Sequence, residues 1–222
     1  MTQELWTAVD RYVSDVLGLE DDVLLKAQAA CDKAGLPSIQ VSPGLGKLLE
    51  IVVRMIDAKK ILEVGTLGGY STICMARGMG PGGRLITLEI EPLHARVARE
   101  NFDRAGLGDT IELREGKAID TLPQLESDGA GPFDLAFIDA DKASNPDYFQ
   151  WALRMSRPGT VIIVDNVIRD GAVIDAESED ASVRGVRRLN EMMAAERRVV
   201  CTELQTVGVK GYDGFALTRV VK

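Results

Sequence analysis

The chain has 222 residues, 45% of them hydrophobic, and sets 26 Lys and Arg against 34 Asp and Glu for a net charge of −8. That length suits one large α/β domain with a full core, and the acidic balance argues against a protein that tracks nucleic-acid phosphates or an anionic membrane surface. Cys31, Cys74 and Cys201 lie far apart without a CxxC pair, which fits buried thiols in a reducing compartment better than a disulfide or zinc framework.

The N-terminal stretch MTQELWTAVDRYVSD carries acids early and lacks the cationic-then-apolar order of a signal peptide. No apolar run approaches the roughly 20 residues that span a bilayer, so a cytoplasmic protein is expected. Residues 1–40 read as a helical segment. Leu5, Val9, Tyr12, Val13 and Val16 form one stripe, and Val23, Leu24, Ala27 and Cys31 form another that breaks at Gly35 and Pro37. A third helix follows Pro43, with Leu45, Leu48, Leu49, Val52, Val53 and Ile56 facing inward.

From Lys60 onward strands and helices alternate. The strand candidates are KILEVG (60–65), RLITLEI (84–90), IELREG (111–116), FDLAFIDA (133–140) and TVIIVDNV (160–167). One intervening helix has Pro92 at its first position and stops at Gly106; another starts at Pro146 and stops before Pro158-Gly159. Continuous apolar strands between amphipathic helices imply a parallel sheet covered on both faces. The final strands, VVCTELQTV (199–207) and GFALTRVV (214–221), are joined by GVKGYD and are expected to pair as an antiparallel hairpin. With no repeat or linker, a single domain over 1–222 is expected, its α/β core spanning 41–222.

In open α/β sheets, ligands bind beyond the carboxyl ends of the strands, near the point where strand order reverses. The first strand leads into LEVGTLGGYST, with Glu63 near its end, then Gly65, Gly68 and Gly69, then a helix start near Tyr70 and Ser71. Glu89 ends the second strand. An acid there, roughly 20 residues past a glycine turn, is the arrangement that hydrogen-bonds ribose hydroxyls. The turn is not GxGxxG, since Leu67 interrupts it, and no P-loop lysine follows. A nucleoside ligand without a pyrophosphate is therefore favoured over NAD, although an ordinary strand–helix turn also needs small residues.

Asp139 ends the fourth strand; Asp165 and Asn166 end the fifth. Three oxygen donors from adjacent strand ends can converge on one hard cation, and without a nearby His or Cys, zinc and copper fit poorly. Helix N-capping explains any one of the three residues, but explains less well why all three end apolar strands.

Taken together, ILEVGTLGGYST, LITLEIEP, FDLAFIDADK, GTVIIVDNVIRDG and DGFALTRV resemble the cation-dependent O-methyltransferases that include catechol and caffeoyl-CoA methyltransferases. The likeness is to the small bacterial members in particular, in order from about residue 37 to the end. It implies a class I methyltransferase fold, Rossmann-like, with a seven-stranded, mostly parallel sheet whose last strand is antiparallel, preceded by N-terminal helices. It also implies S-adenosylmethionine as methyl donor, a divalent cation (magnesium, with calcium or manganese as alternatives), a small phenolic acceptor and a homodimer. Carried over by position, Glu63, Gly65 and Ser71 line the donor's methionine part with Val41, Thr66 and Tyr70 alongside. Glu89 takes the ribose and Ala118 borders the adenine. Asp139, Asp165 and Asn166 match the metal ligands, Asp139 also bounding the donor site and serving catalysis, and Lys142 matches the catalytic base.

A free phenol has a pKa of about 10, so a cation that stabilises the phenolate and a lysine that takes the proton have clear uses. Asp141, beside Lys142, is expected to point away into a salt bridge or a cap. His94 is expected on the surface and Trp151 in helix packing, with Tyr148 within reach of the metal loop. DAESEDASVRG (175–185) reads as a solvated loop and helix start near the substrate mouth. The N-terminal residues supply few cations (Arg11, Lys26, Lys33), which favours a small free catechol over a coenzyme A thioester. Two rivals remain. A nicotinamide-dependent oxidoreductase is weakened by the glycine pattern and the missing Tyr-x-x-x-Lys. A nucleoside-binding module without chemistry is weakened by the intact Asp139, Lys142, Asp165 and Asn166.

Overall fold

The structure is a computed structural model that describes residues 2–222; Met1, the start of the acidic N-terminal stretch, lies outside the described residues. Three helices come first: α1 (Gln3–Leu17), α2 (Asp22–Ala34) and α3 (Pro43–Met55). Thr2, Asp21 and Ser42 cap their N-termini, and Gly18 and Gly35 end the first two in left-handed conformation. The alternating part follows as β1 (Lys60–Val64), α4 (Tyr70–Gly78), β2 (Arg84–Glu89), α5 (Pro92–Arg104), β3 (Ile111–Glu115), α6 (Ala118–Ser127), β4 (Leu135–Ile138), α7 (Asn145–Arg154) and β5 (Val161–Asp165). Then come α8 (Ala181–Ala195), β6 (Val199–Gly208) and β7 (Gly211–Val220).

The sheet runs β3-β2-β1-β4-β5-β7-β6, with β7 antiparallel to both neighbours, so the expected fold class and closing hairpin hold. The hairpin is tighter than expected. Its strands pair as far as Gly208 and Gly211, leaving only Val209 and Lys210 as the turn. Strand order reverses between β1 and β4, which opens a crevice at their carboxyl ends.

Each strand alternates its side chains between two cores. One face buries Leu62, Val64, Ile86, Ala136, Ile138 and Val164 against Leu122, Phe149 and Leu189 of α6 to α8. The other buries Ile61, Leu85, Leu135, Phe137 and Ile163 against Leu49, Val53, Ile73 and Phe102 of α3 to α5. Each such side chain contributes about 1.5–3 kcal/mol by leaving water. The register Val64↔Ile138↔Val164 places Gly65, Asp139 and Asp165 next to one another just past the paired rows. Glu63, Thr87, Glu89 and Asp165 fall on the same parity as Ile61, Leu85 and Ile163, so the acids share one face.

One expectation of burial is corrected, that of Cys201, and the α1 stripe lies open. The α1 stripe is present, but Leu5, Val9, Tyr12 and Val16 are 51–67% exposed, because α1 meets the β6–β7 hairpin through polar groups: Gln3 Nε2 donates to the Gly208 carbonyl and the Val209 amide donates to Asp10. Cys201 is exposed on β6, the edge strand, while Cys74 is buried and Cys31 half-buried. Among the described residues no helix is long and apolar enough to cross a membrane.

Candidate functional site

The carboxyl ends of the strands open into a cleft of about 800 Å³. On one side, Gly65 follows β1 with φ +97. A Cβ there would lie 2.1 Å from the Asp139 carbonyl oxygen, so only glycine lets β1 and β4 end side by side. Glu89, at the end of β2, holds the loop that follows. Its carboxylate accepts from the Thr66 (3.2 Å), Leu67 (2.7 Å) and Glu91 (3.0 Å) amides. It also faces the cleft, with Gly65, Thr66, Tyr70, Ser71 and Ala118; Val41 closes in from the connection before α3. The Tyr70 hydroxyl donates to Glu20 at 2.8 Å, tying this wall to the chain between α1 and α2.

Glu63 is the exception among the expected donor-side residues. It does not line the cleft but lies wholly buried beneath it, accepting from Ser71 Oγ (2.6 Å), Thr72 Oγ1 (2.5 Å) and Thr87 Oγ1 (2.7 Å). Both its oxygens are engaged by the chain itself, and it reaches the cleft only through Ser71. Burial pushes its carboxyl up to about 7, against the pull of those three hydroxyls.

On the other side, Asp139, Lys142 and Asn166 line the cleft and Asp165 lies just behind, 8% exposed. Lys142 Nζ sits 2.7 Å from Asp139 Oδ1. Burial, and then the charge of Asp139, push Asp165 up to about 7; Lys142 and the Asn166 backbone amide pull the other way. Asn166 has φ +58, a left-handed conformation that asparagine tolerates. Asp141 caps its own turn, accepting from the Ser144 amide (3.2 Å) and the Tyr148 hydroxyl (2.6 Å), but instead of pointing away it also lines the cleft. Tyr148 thereby joins the cleft wall, its phenol pushed upward by burial and by Asp141. From outside, Gly185 of α8 packs so closely that a Cβ would lie 2.2 Å from the Lys142 carbonyl oxygen.

Among the described residues no three His, Cys, Asp or Glu side chains gather as a metal cluster. The candidate set is instead two adjacent carboxylates and one amide oxygen. It fits a hard cation: like charges raise each other's cost, and oxygen ligands with room left for water or substrate are what magnesium takes.

His94 does not lie on the open surface as the sequence suggested. It lines the cleft, 19% exposed, with Nδ1 3.5 Å from Glu89 Oε1, because the first turn of α5 folds back over the end of β2. Lys117 and Ile119 on that side, and Arg169 and Ser182 on the other, are further cleft residues that sequence reasoning did not select. Trp151 packs half-buried against the core, with the Arg154 guanidinium 4.4 Å above its ring.

Known proteins resemble this chain over nearly its whole length. The family model described as O-methyltransferase matches residues 16–221. A catechol O-methyltransferase of Niastella koreensis is 56% identical, over 99% of this chain and all of the relative. The solved O-methyltransferase from Bacillus cereus, in complex with SAH, superposes with a TM-score of 0.97 at 55% identity, covering 99% of this chain and 100% of that one. The O-methyltransferase TomG from Streptomyces achromogenes, in complex with SAM, gives 0.96 at 48% identity with both chains fully covered.

Proposed function

The chain belongs to the O-methyltransferase family, and from that premise we propose that it transfers the methyl group of S-adenosylmethionine to one hydroxyl of a catechol-like small molecule, with a divalent cation, magnesium foremost. The observation that carries this reading is one cleft whose two walls hold the two halves of the chemistry: Glu89 and the Gly65–Ser71 loop on one, Asp139, Lys142 and Asn166 on the other.

When bound, the donor supplies a methyl group on a sulfonium sulfur and the cation supplies a Lewis acid for the acceptor's oxygens. The chain does the rest. Glu89 accepts from the ribose hydroxyls, while Ala118 and His94 bound the base. Ser71 and Tyr70, with Val41 opposite, fix the amino-acid end. Asp139, Asp165 and Asn166 hold the cation. Lys142 Nζ would take the proton of the acceptor's hydroxyl as the methyl group passes to that oxygen. Asp139, 2.7 Å away, stabilises the ammonium that results. Holding oxygen, methyl carbon and sulfur in line supplies much of the rate. Family membership removes the main support for a nicotinamide oxidoreductase.

The whole chain works as one unit in this reading, in the cytoplasm and without nucleic-acid or membrane partners, in keeping with its net charge of −8. It is paired with a second copy through the exposed stripe of α1 and Val200, Leu204 and Val207 of β6, 48–58% exposed; sedimentation at the mass of one chain would remove that pairing. The deciding experiment is methyl transfer from labelled S-adenosylmethionine to a panel of catechols, with magnesium and with a chelator. Product that vanishes on chelation and returns with magnesium supports donor, reaction and cation together. Chelator-resistant product removes the cation, and absence of product with every catechol removes the acceptor class.

A further inference from the structure

The acceptor side of the cleft contains an arginine that methyl transfer, as described, does not use. Arg169 lines the cleft along with Asn166 and Ser182. It opens the 3₁₀ segment Arg169–Ile174 with left-handed backbone (φ +56), followed by Asp170 at φ +54. Non-glycine residues persist in that region only where their surroundings hold them, and such positions gather at functional sites. Here the holding group is Asp213, whose Oδ1 accepts from the Ile168 (2.9 Å), Arg169 (3.0 Å) and Gly214 (2.9 Å) amides.

Those amides all bond to Oδ1, and Oδ2 is met only by a long ion pair with the guanidinium. Arg169 Nη1 stays 3.7 Å from Asp213 Oδ2, beyond hydrogen-bond reach. Arg169 Nε is buried and has no partner among the described residues. A guanidinium carries five N–H donors and keeps its charge at any working pH. Nε is shut off from the cleft, but the side chain is 32% exposed and lines it, so its terminal donors are open to an acceptor that the chain does not provide. The other cations nearby are engaged: Lys142 by Asp139 and Lys210 by the Ser38 carbonyl at 2.8 Å. A planar fork held only by a long ion pair suits one planar monoanion, which it binds through two parallel hydrogen bonds. A phosphate dianion would call for a second free cation.

We infer that Arg169 is a specificity-determining residue that selects a catechol bearing a carboxylate, the anion on the guanidinium and the two hydroxyls toward Asp139 and Asn166. This rests on the O-methyltransfer reading above. A neutral catechol leaves the Arg169 donors unpaired as it fills the cleft, so the same residue both favours the acid and disfavours its uncharged analogue.

The test compares 3,4-dihydroxybenzoate with 4-methylcatechol in wild type, R169M and R169K, all with S-adenosylmethionine and magnesium. The ratio of the two kcat/KM values is expected to favour the acid in wild type, to fall ~10- to 100-fold in R169M, and to recover in part in R169K, which keeps the charge without the fork. A ratio that R169M leaves unchanged overturns the inference; if R169M does not fold, an unchanged ratio in R169K does so. Calorimetric titration of 3,4-dihydroxybenzoate into protein loaded with S-adenosylhomocysteine reads the anion contact without turnover. If wild type methylates neither compound yet binds the acid more tightly than the variant does, catechol methylation falls and the anion site stands. Equal binding by wild type and variant sinks the anion site whatever the turnover.

Discussion

Two buried carboxylates stand at strand ends on the same face of the sheet, and the chain treats them in opposite ways. Glu63 in β1 and Asp165 in β5 are both pushed up to about 7 by burial. Around Glu63 the chain assembles three hydroxyl donors. Around Asp165 it supplies the Asn166 backbone amide and the charge of Lys142, and sets a second carboxylate, Asp139, beside it. A buried acid costs little when hydrogen-bonded and much when left beside its like. The donor wall is therefore completed by folding alone. The acceptor wall is folded with an electrostatic deficit, which the proposed cation would make good.

The sharpest break in this comparison is at Lys142, the acceptor wall's own cation. Lys142→Met is expected to lower methyl transfer ~10³-fold, the usual range for removing a general base, while calorimetry finds donor binding retained on the opposite wall. Unchanged turnover would mean that another group takes the proton.

Glu63 offers the next largest effect, in stability. Its folded-state value of about 7 lies above the ordinary 4.5, so the folded protein holds this proton more tightly than the unfolded chain. The contribution is fully present below pH 4.5 and is lost as pH rises through 7, amounting to ~3 kcal/mol across that window. Denaturant unfolding of wild type against Glu63→Gln, from pH 4.5 to 8, is expected to show the two converging or crossing by about that amount. Parallel curves would mean that the three hydroxyls hold Glu63 ionised throughout.

A third break tests whether the acceptor wall is positioned from outside the cleft. In Gly185→Ala the added carbon would sit 2.2 Å from the Lys142 carbonyl oxygen and 2.7 Å from Ala143 Cα, and both are backbone. The turn at Lys142 must move, and a displacement approaching 1 Å at a reacting group is costly. A ~10-fold loss in kcat is expected, with KM for S-adenosylmethionine little changed. A loss confined to donor KM would place the damage on the wrong wall.

The contrast between the two acids was only half legible in the sequence. Apolar runs, proline starts and glycine stops carry period and boundary directly, so the strands, the antiparallel hairpin and the acids at strand ends could be read from them. What the acids do there depends on the neighbouring strand. Glu63 was expected to face the ligand; its oxygens are taken up by Thr87, a residue of β2, and by two hydroxyls of α4. His94 was expected on the surface, since nothing in EPLHAR tells that the turn folds back over Glu89. Nothing in VIRDG singles out Arg169, because its left-handed backbone is held by Asp213 on β7, far along the chain. Cys201 was expected inside because free thiols usually are, and the edge strand leaves it uncovered.

The smallest effects return to the two acids themselves, and there the sign matters more than the size. Glu63→Gln replaces an acceptor-only group with one that brings its own N–H donors into a shell built to donate. The three hydroxyls must then reorient, and a loss of ~1 kcal/mol is expected at low pH, where the wild-type acid is protonated and comfortable. Asp165→Asn removes a buried charge from beside Asp139 at almost no change of shape. In chelator it is expected to raise stability by ~1 kcal/mol, as replacing a poorly paired buried ion often does, while abolishing any stabilisation by added magnesium. Thermal melts of Glu63→Gln at about pH 5 and of Asp165→Asn at about pH 8, each against wild type with magnesium and with chelator, read the two signs where the first acid is protonated and the second is charged. If Asp165→Asn destabilises the protein in chelator as Glu63→Gln does, both acids are structural and the cation has no place prepared for it. Opposite signs under those conditions are what a wall awaiting a cation requires, because there the protonated Glu63 has its partners within the chain and the charged Asp165 does not.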